Sequence, residues 1–174
     1  MPSLDLQYVT ELVHHAKEGD ANAFAELFAA TYPQQYQFCC SFLRDEYLAQ
    51  QALQETYIQA LNTLPRLNDN ALFINWLTRL NFRVCLQLKQ KQDPAMPQAP
   101  ENIRVTLSGR QCTVHQLMNL PFTEGLVLLL KGYCGMRSRQ IAALMEMSTR
   151  QVREYMASGI RRLPRTGMEG GTTP

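Results

Sequence analysis

The side chains best placed to do chemistry in this chain are arginines. In the stretch SRQIAALMEMSTRQVREYMASGIRRL, from Ser138 to Leu163, five of the seven charged residues are Arg. A guanidinium is charged at any physiological pH and carries a planar fork of donors, which suits phosphate oxygens and the major-groove edge of guanine. At helical spacing, Val152, Tyr155, Met156, Gly159, Ile160 and Leu163 share one face, while Thr149, Arg150, Arg153, Glu154 and Arg161 fall on the other. Ser148 is the expected N-cap of this helix. Upstream, Ser138 is the N-cap candidate of a shorter helix whose apolar face is Ile141, Leu144 and Met145. A short helix, a tight turn and a longer helix with an Arg-bearing leading edge make a helix-turn-helix pattern, whose leading edge can enter a major groove. The candidate DNA contacts are Ser138, Arg139, Thr149, Arg150, Gln151, Arg153 and Glu154. Arg161 and Arg162 lie more than two turns further on and are expected to meet phosphate or solvent. The alternative for the same stretch is a helical hairpin with solvated arginines.

Little else in the sequence suggests reactive chemistry. There is no Ser/His/Asp set, no paired carboxylates and no Gly-rich phosphate loop, so an enzyme is not expected. Cys39 and Cys40 are adjacent, while Cys85, Cys112 and Cys134 are scattered, with no C-x-x-C spacing. They read as small buried apolar residues. His14 and His15 are neighbours, pointing about 100° apart on a helix, and do not chelate one ion together. No metal and no cofactor are expected.

The elements that must position the arginines are helical. The composition is 45% hydrophobic and 18% charged, enough apolar material for a folded chain. No run approaches a membrane span and no secretion signal is visible, so a cytoplasmic protein without membrane insertion is expected. Residues 1–92 carry seven basic and nine acidic side chains, whereas residues 116–174 carry eight basic and four acidic. A mildly acidic front and a basic back suggest partners of different character. In the front, Leu6, Val9, Val13 and Ala16 recur at helical spacing and Gly19 suits a stop. Asp20 caps a second helix with Phe24, Leu27 and Phe28, and Pro33 opens a third with Tyr36, Cys40 and Leu43. A fourth, from about Glu46 to Leu64, buries Ala49, Ala52, Leu53 and Leu61. The fifth, with Asp69 as cap, has an apolar line at Phe73, Trp76, Leu77, Leu80, Val84 and Leu88.

The segment QKQDPAMPQAPEN follows, rich in proline and poor in apolar residues, as linkers are. Ile103, Val105 and Leu107 alternate with polar residues around Ser108-Gly109, which leaves a small hairpin and irregular chain both open. A second helical unit starts near His115, with Pro121 at a helix start and the apolar run Leu126 to Leu130 as a buried helix. The expected organisation is all-α: a helical bundle over 1–92, a Pro-rich linker over 93–115, a helix-turn-helix domain over 116–165 and a flexible tail over 166–174.

Four stretches add a resemblance. GDANAFAELFAATY, LAQQALQETYIQAL, FINWLTRL and, after the linker, LPFTEGLVLLLKGYCGMRSRQIAALMEMSTRQVREYMASGIRRL resemble, in that order, bacterial RNA polymerase sigma factors of the extracytoplasmic-function (ECF) type. The resemblance covers about residues 18–165, and VREYMASGIRRL is closest to the iron-transport branch. It implies a two-domain initiation factor with no active site of its own. The front domain would dock on the clamp helices of the polymerase core enzyme and open the promoter, and the back domain would read the upstream element as duplex. Polymerase binding falls on Gln51, Gln54 and Glu55, and promoter melting on Trp76, Arg79 and Arg83. Trp76 lies on the apolar line and is expected to serve the core more than to wedge between bases.

This chain departs from the family at several places. Gln50 and Gln51 stand where an acidic pair is usual, Arg83 and Gln87 where Asn and Asp are usual, and Glu146 where the turn usually has Gly. Arg137 and Gln140 occupy the usual Ser cap and Glu of the first corner helix, and Gly125 a place often held by Arg. The resemblance implies core polymerase and promoter DNA as partners, with an anti-sigma protein as a further one; no homo-oligomer is required. The departures favour either a divergent factor directing promoter-specific initiation or a sigma-like interaction or regulatory protein that binds polymerase or DNA without directing it.

Overall fold

Four aspartates punctuate the first part of the chain. In the computed structural model, which describes residues 4–93, 95 and 102–164 apart from the side chain of Phe122, each of them accepts backbone N–H groups at the start of a helical segment. Asp5 opens α1 (Leu6–Lys17), Asp20 opens α2 (Ala21–Leu43) and Asp45 opens α3 (Glu46–Thr63). Asp69 caps a short 3-10 turn that runs directly into α4 (Phe73–Gln92). Each cap supplies an acceptor to donors that the helix leaves unpaired, worth about 0.5–2 kcal/mol.

The separate second and third helices expected on either side of Pro33 are one continuous helix, α2. The reason is the buried stripe. Leu27, Thr31, Gln35 and Phe38 follow at spacings of three or four on both sides of the proline, so breaking the helix there would split one packing face in two. The ring itself is on the exposed side. The helix ends at Arg44, in the left-handed region at φ 55°, whose N–H bonds Cys40 O.

Within this unit α1 packs on α2, α2 on α3 and α3 on α4. The interior combines Val13, Leu53, Leu77 and Phe82 with a polar layer of Thr31, Gln35, Thr56, Thr78 and Asn81, all buried. Gln35, Thr78 and Asn81 are paired with one another, Gln35 Nε2 donating to Thr78 Oγ1 at 2.8 Å and Asn81 Nδ2 to Gln35 Oε1 at 3.0 Å, while Thr31 and Thr56 donate to the carbonyls of Leu27 and Ala52. A buried amide without such a partner would cost about 1–3 kcal/mol. Leu61, expected in the core, is instead 56% exposed.

The chain divides into two compact units, with the main boundary after Asp93. Pro94, Pro97 and Pro100 of the expected linker lie outside the described residues, as does the tail over 166–174. The stretch left open between hairpin and irregular chain is a hairpin: β1 (Arg104–Leu107) pairs antiparallel with β2 (Arg110–Thr113), Leu107 opposite Arg110. Ser108 and Gly109 form its two-residue turn with φ of 49° and 77°, the double positive φ that a tight hairpin needs. Val105, Leu107 and Cys112 are its buried side chains.

Thr113 and Gln116 form a reciprocal capping box that starts α5 (Val114–Met118). α6 (Phe122–Gly132) is the centre of this second unit: Leu126 to Leu130 are all 0–1% exposed. Five consecutive apolar residues can lie in a helix only if it is enclosed on every side. α5, α8 and β1 all pack on it. Gly125 lets the α5 backbone come close, since a Cβ there would lie 2.3 Å from Leu117 O. The fold is all-α, with this single small hairpin among the described residues.

Candidate functional site

The corner begins with α7 (Ser138–Met145). Ser138 is not its cap. Arg137 O accepts from Ile141 N at 3.0 Å, and the N–H of Arg137 donates to Gln140 Oε1 at 2.9 Å, so the cap position is Arg137 and Ser138 is the first helical residue. The amide of Gln140 thus supplies one half of a capping box, accepting the N–H of the cap residue, while Arg137 has no hydroxyl to accept an N–H of the first turn. After α7 the chain turns through Glu146 at φ 52°, and Met147 N bonds Ala142 O at 3.0 Å. The turn needs the left-handed region although no glycine is present, a cost of roughly 1 kcal/mol.

Ser148 caps α8 (Thr149–Arg162) as the sequence suggests. Its Oγ accepts from Gln151 N at 3.1 Å, and Gln151 Oε1 accepts from Ser148 N at 2.9 Å. The box holds the first turn of α8 firm and commits the amide oxygen of Gln151 to the cap. Val152, Gly159 and Leu163 are buried, and a Cβ at Gly159 would meet Leu128 Cδ1 at 2.7 Å, so α8 lies tight against α6.

On the opposite side Arg150, Gln151, Arg153 and Glu154 are exposed, and Thr149 is half-buried. Of the two α7 candidates, Arg139 is exposed and Ser138 half-buried. Arg150 Nε lies 3.1 Å from Glu154 Oε1, one turn on, in an open ion pair worth about 0.3–0.5 kcal/mol and easily exchanged for another acceptor. The leading edge of α8 thus offers two guanidiniums and the amide N–H of Gln151 beyond a rigid cap.

Arg162, expected to meet phosphate or solvent, is exposed but also has a partner within the fold. Its Nε is 3.0 Å from Glu124 Oε2 on α6, and Ser158 Oγ donates to Glu124 Oε1 at 2.7 Å. Glu124 is 8% exposed, and Oε2 receives no aligned N–H, so its attraction to Arg162 is coulombic. The hairpin adds a further hold, since Arg110 Nη1 donates to Ile160 O at 2.8 Å near the end of α8. The only sequence signal for the Glu124 site was one carboxylate inside an apolar run, which needs a partner when buried. Nothing in the sequence named Arg162 or Ser158 as that partner.

In the first unit, Gln51 and Gln54 are exposed on α3, while Glu55 is half-buried and accepts from Gln59 Nε2 at 3.2 Å. Tyr47, Gln51, Gln54, Ile58 and Leu61 follow at spacings of four and three, and all five are exposed. Ile58 and Leu61 are 54% and 56% exposed. Beside them an open apolar groove of about 410 Å³ runs between α2 and α3, lined by Phe24, Phe28, Tyr32, Leu53, Gln54 and Tyr57 among others. Sequence reasoning had placed Leu61 inside and missed this stripe.

The three remaining candidates lie on α4. Trp76 is half-buried with its ring 5.9 Å from that of Phe73, so it serves the core in part only. Arg79 is half-buried and Arg83 exposed. Burial, and then the charge of Arg83, hold the Arg79 guanidinium below its usual pKa. Among the described residues no three His, Cys, Asp or Glu side chains come together as a metal site, and no helix is long and apolar enough to cross a membrane.

No family model matches this sequence, and no curated protein does. Among solved structures the chain is similar to CnrH, described in complex with the cytosolic domain of CnrY. The similarity has 18% identity and a TM-score of 0.47, and covers 88% of this chain and 93% of that one.

Proposed function

We propose that this protein is a divergent sigma factor of the ECF type, which binds RNA polymerase core enzyme through its first unit and reads an upstream promoter element with α8. The observation that carries the reading is the outer face of α3. Five exposed residues at alternating spacings of four and three form a seam of the kind that packs against another helix, beside an open apolar groove. A simple DNA-binding regulator needs neither this first unit nor the Pro-rich linker. The four resembling stretches in family order support the same conclusion, as does the capped, Arg-bearing edge of α8.

In this reading Gln51 and Gln54 lie on the seam and Glu55 at its margin, so docking is apolar and hydrogen-bonded where an acidic pair would make it ionic. Trp76, Arg79 and Arg83 take the promoter-opening role. Arg150 and Arg153 read base edges, with Thr149, Gln151 and Glu154 around them, and Ser138 and Arg139 sit at the start of α7 facing the backbone. An anti-sigma protein would cover the seam and the reading edge. The chain works in the cytoplasm and performs no catalysis of its own.

The test is run-off transcription on genomic fragments with core polymerase, with and without the protein, followed by sequencing of the transcript starts. New starts sharing an upstream motif support initiation. Binding to core enzyme without new starts supports the second reading, a sigma-like interaction protein, which the Gln50–Gln51 pair and the Arg150–Glu154 pairing favour.

A further inference from the structure

Cys39 on α2 and Cys85 on α4 lie side by side in the interior of the first unit. Both are 0% exposed, and their sulfurs are 3.7 Å apart. Asn81, one turn before Cys85, orients them: its Oδ1 accepts from Cys39 Sγ at 3.0 Å and from Cys85 Sγ at 3.5 Å. The same oxygen accepts from Thr56 Oγ1 at 3.2 Å, and Asn81 Nδ2 is anchored on Gln35. Cysteines that only fill apolar space need neither a shared acceptor nor contact with each other.

We propose that Cys39 and Cys85 are a redox-sensitive pair that forms a disulfide tying α2 to α4. The oxidant is of the hydroperoxide class, such as hydrogen peroxide. The Cys39 thiolate attacks one peroxide oxygen and the O–O bond breaks, giving a sulfenic acid and hydroxide, which takes up the thiol proton to become water. The Cys85 thiolate then attacks the sulfenic sulfur. The S–S bond forms, the S–O bond breaks, and hydroxide leaves with the second thiol proton as another water. Two thiols lose two electrons and the peroxide gains them.

Geometry and hydrogen bonding favour Cys39 as the attacking group. The hydrogen bond from Cys85 holds its thiol below the usual cysteine value, against the opposing effect of burial. Reaching a disulfide length of ~2.05 Å requires roughly 0.8 Å of movement from each sulfur. The bond encloses the whole of α3 and so restricts the unfolded chain.

The experiment exposes the reduced full chain to hydrogen peroxide under native conditions, blocks residual thiols by alkylation, and maps peptides without reduction. The expected product joins the Cys39 and Cys85 peptides with the loss of two hydrogens and is reversed by dithiothreitol. Its thermal transition lies above that of the reduced chain. Cys40→Ala, at a half-buried neighbour, should still form the crosslink, which separates Cys39 from Cys40. The proposal is overturned if Cys40 or Cys134 oxidises while Cys39 and Cys85 stay alkylatable on denaturation. It is equally overturned if the crosslink forms only in urea, or if the crosslinked chain melts no higher than the reduced one.

Discussion

Glu124 on α6 and Arg162 at the end of α8 face each other at 3.0 Å, with the carboxylate nearly buried and the guanidinium at the surface. The pair fixes the far end of α8, so Arg162 acts on stability before it acts on any ligand. Arg162→Ala should lower stability by about 1–2 kcal/mol, discounted for the exposure of the guanidinium, because among the described residues Glu124 then keeps only Ser158 as a side-chain partner. For a chain of this size that is a fall in Tm of about 2–8 °C. An unchanged Tm, read by calorimetry, would remove the pair from the account of the fold.

Gly125 and Gly159 both sit at helix contacts, but their substitutions should differ. A Cβ at Gly125 meets Leu117 O at 2.3 Å, a backbone atom, whereas at Gly159 the nearest atom is Leu128 Cδ1 at 2.7 Å. A side-chain tip can swing away and a carbonyl in α5 cannot. Gly125→Ala should cost about 1–3 kcal/mol despite the better helix propensity of alanine. Gly159→Ala should cost less, and urea denaturation of the two variants side by side reads the order.

Tyr57 gives the first unit an alkaline limit. Thr31 Oγ1 donates to Leu27 O at 2.7 Å, so in the 2.5 Å contact between the two hydroxyls Tyr57 is the donor. Burial raises its pKa well above the ordinary 10.0. The unfolded chain therefore releases this proton first as pH rises. The contribution is fully present below pH about 10 and is lost as pH climbs from there towards the folded value. Tyr57→Phe should cost about 0.5–1.5 kcal/mol at neutral pH and flatten the alkaline decline, as followed by Tm against pH. A wild-type decline of the same steepness in the variant would point to another group.

At the leading edge of α8, Arg153→Ala should weaken binding to the cognate duplex by about 1–3 kcal/mol and relax preference at one base position. Glu154→Gln should strengthen it, because it removes both a negative charge from the edge and the partner that holds Arg150. Salt titrations on cognate and scrambled duplexes measure both. Equal effects on the two duplexes would mean that α8 holds phosphates without reading bases.

On α3, Ile58→Glu and Leu61→Glu change side chains that are more than half exposed. Helical content should be unchanged and stability should stay within about 0.5 kcal/mol of wild type, as for surface substitutions generally. Co-purification with core polymerase should fall at least tenfold, from loss of about 1.4 kcal/mol or more at an apolar contact. Undiminished capture would move docking away from this seam.

What the sequence determined by itself was local. Capping residues such as Asp20 and Ser148, the buried run from Leu126 to Leu130 and the two-faced pattern of α8 are legible because each rests on neighbours within a turn or two. So the all-α class and the polar edge carrying Arg150 and Arg153 could be read directly. Tertiary packing decided the rest. Pro33 reads as a helix start until the stripe on either side of it is seen to bury as one face, and Leu61 reads as core until it is seen that no described helix covers α3 there. Arg162 looks like a solvated charge until Glu124, thirty-eight positions earlier, is brought beside it. The contact of Cys39 with Cys85 and the approach of Gly125 to Leu117 O belong to the same class. Periodicity tells which face of a helix is apolar, but it carries no information about which other element that face will meet.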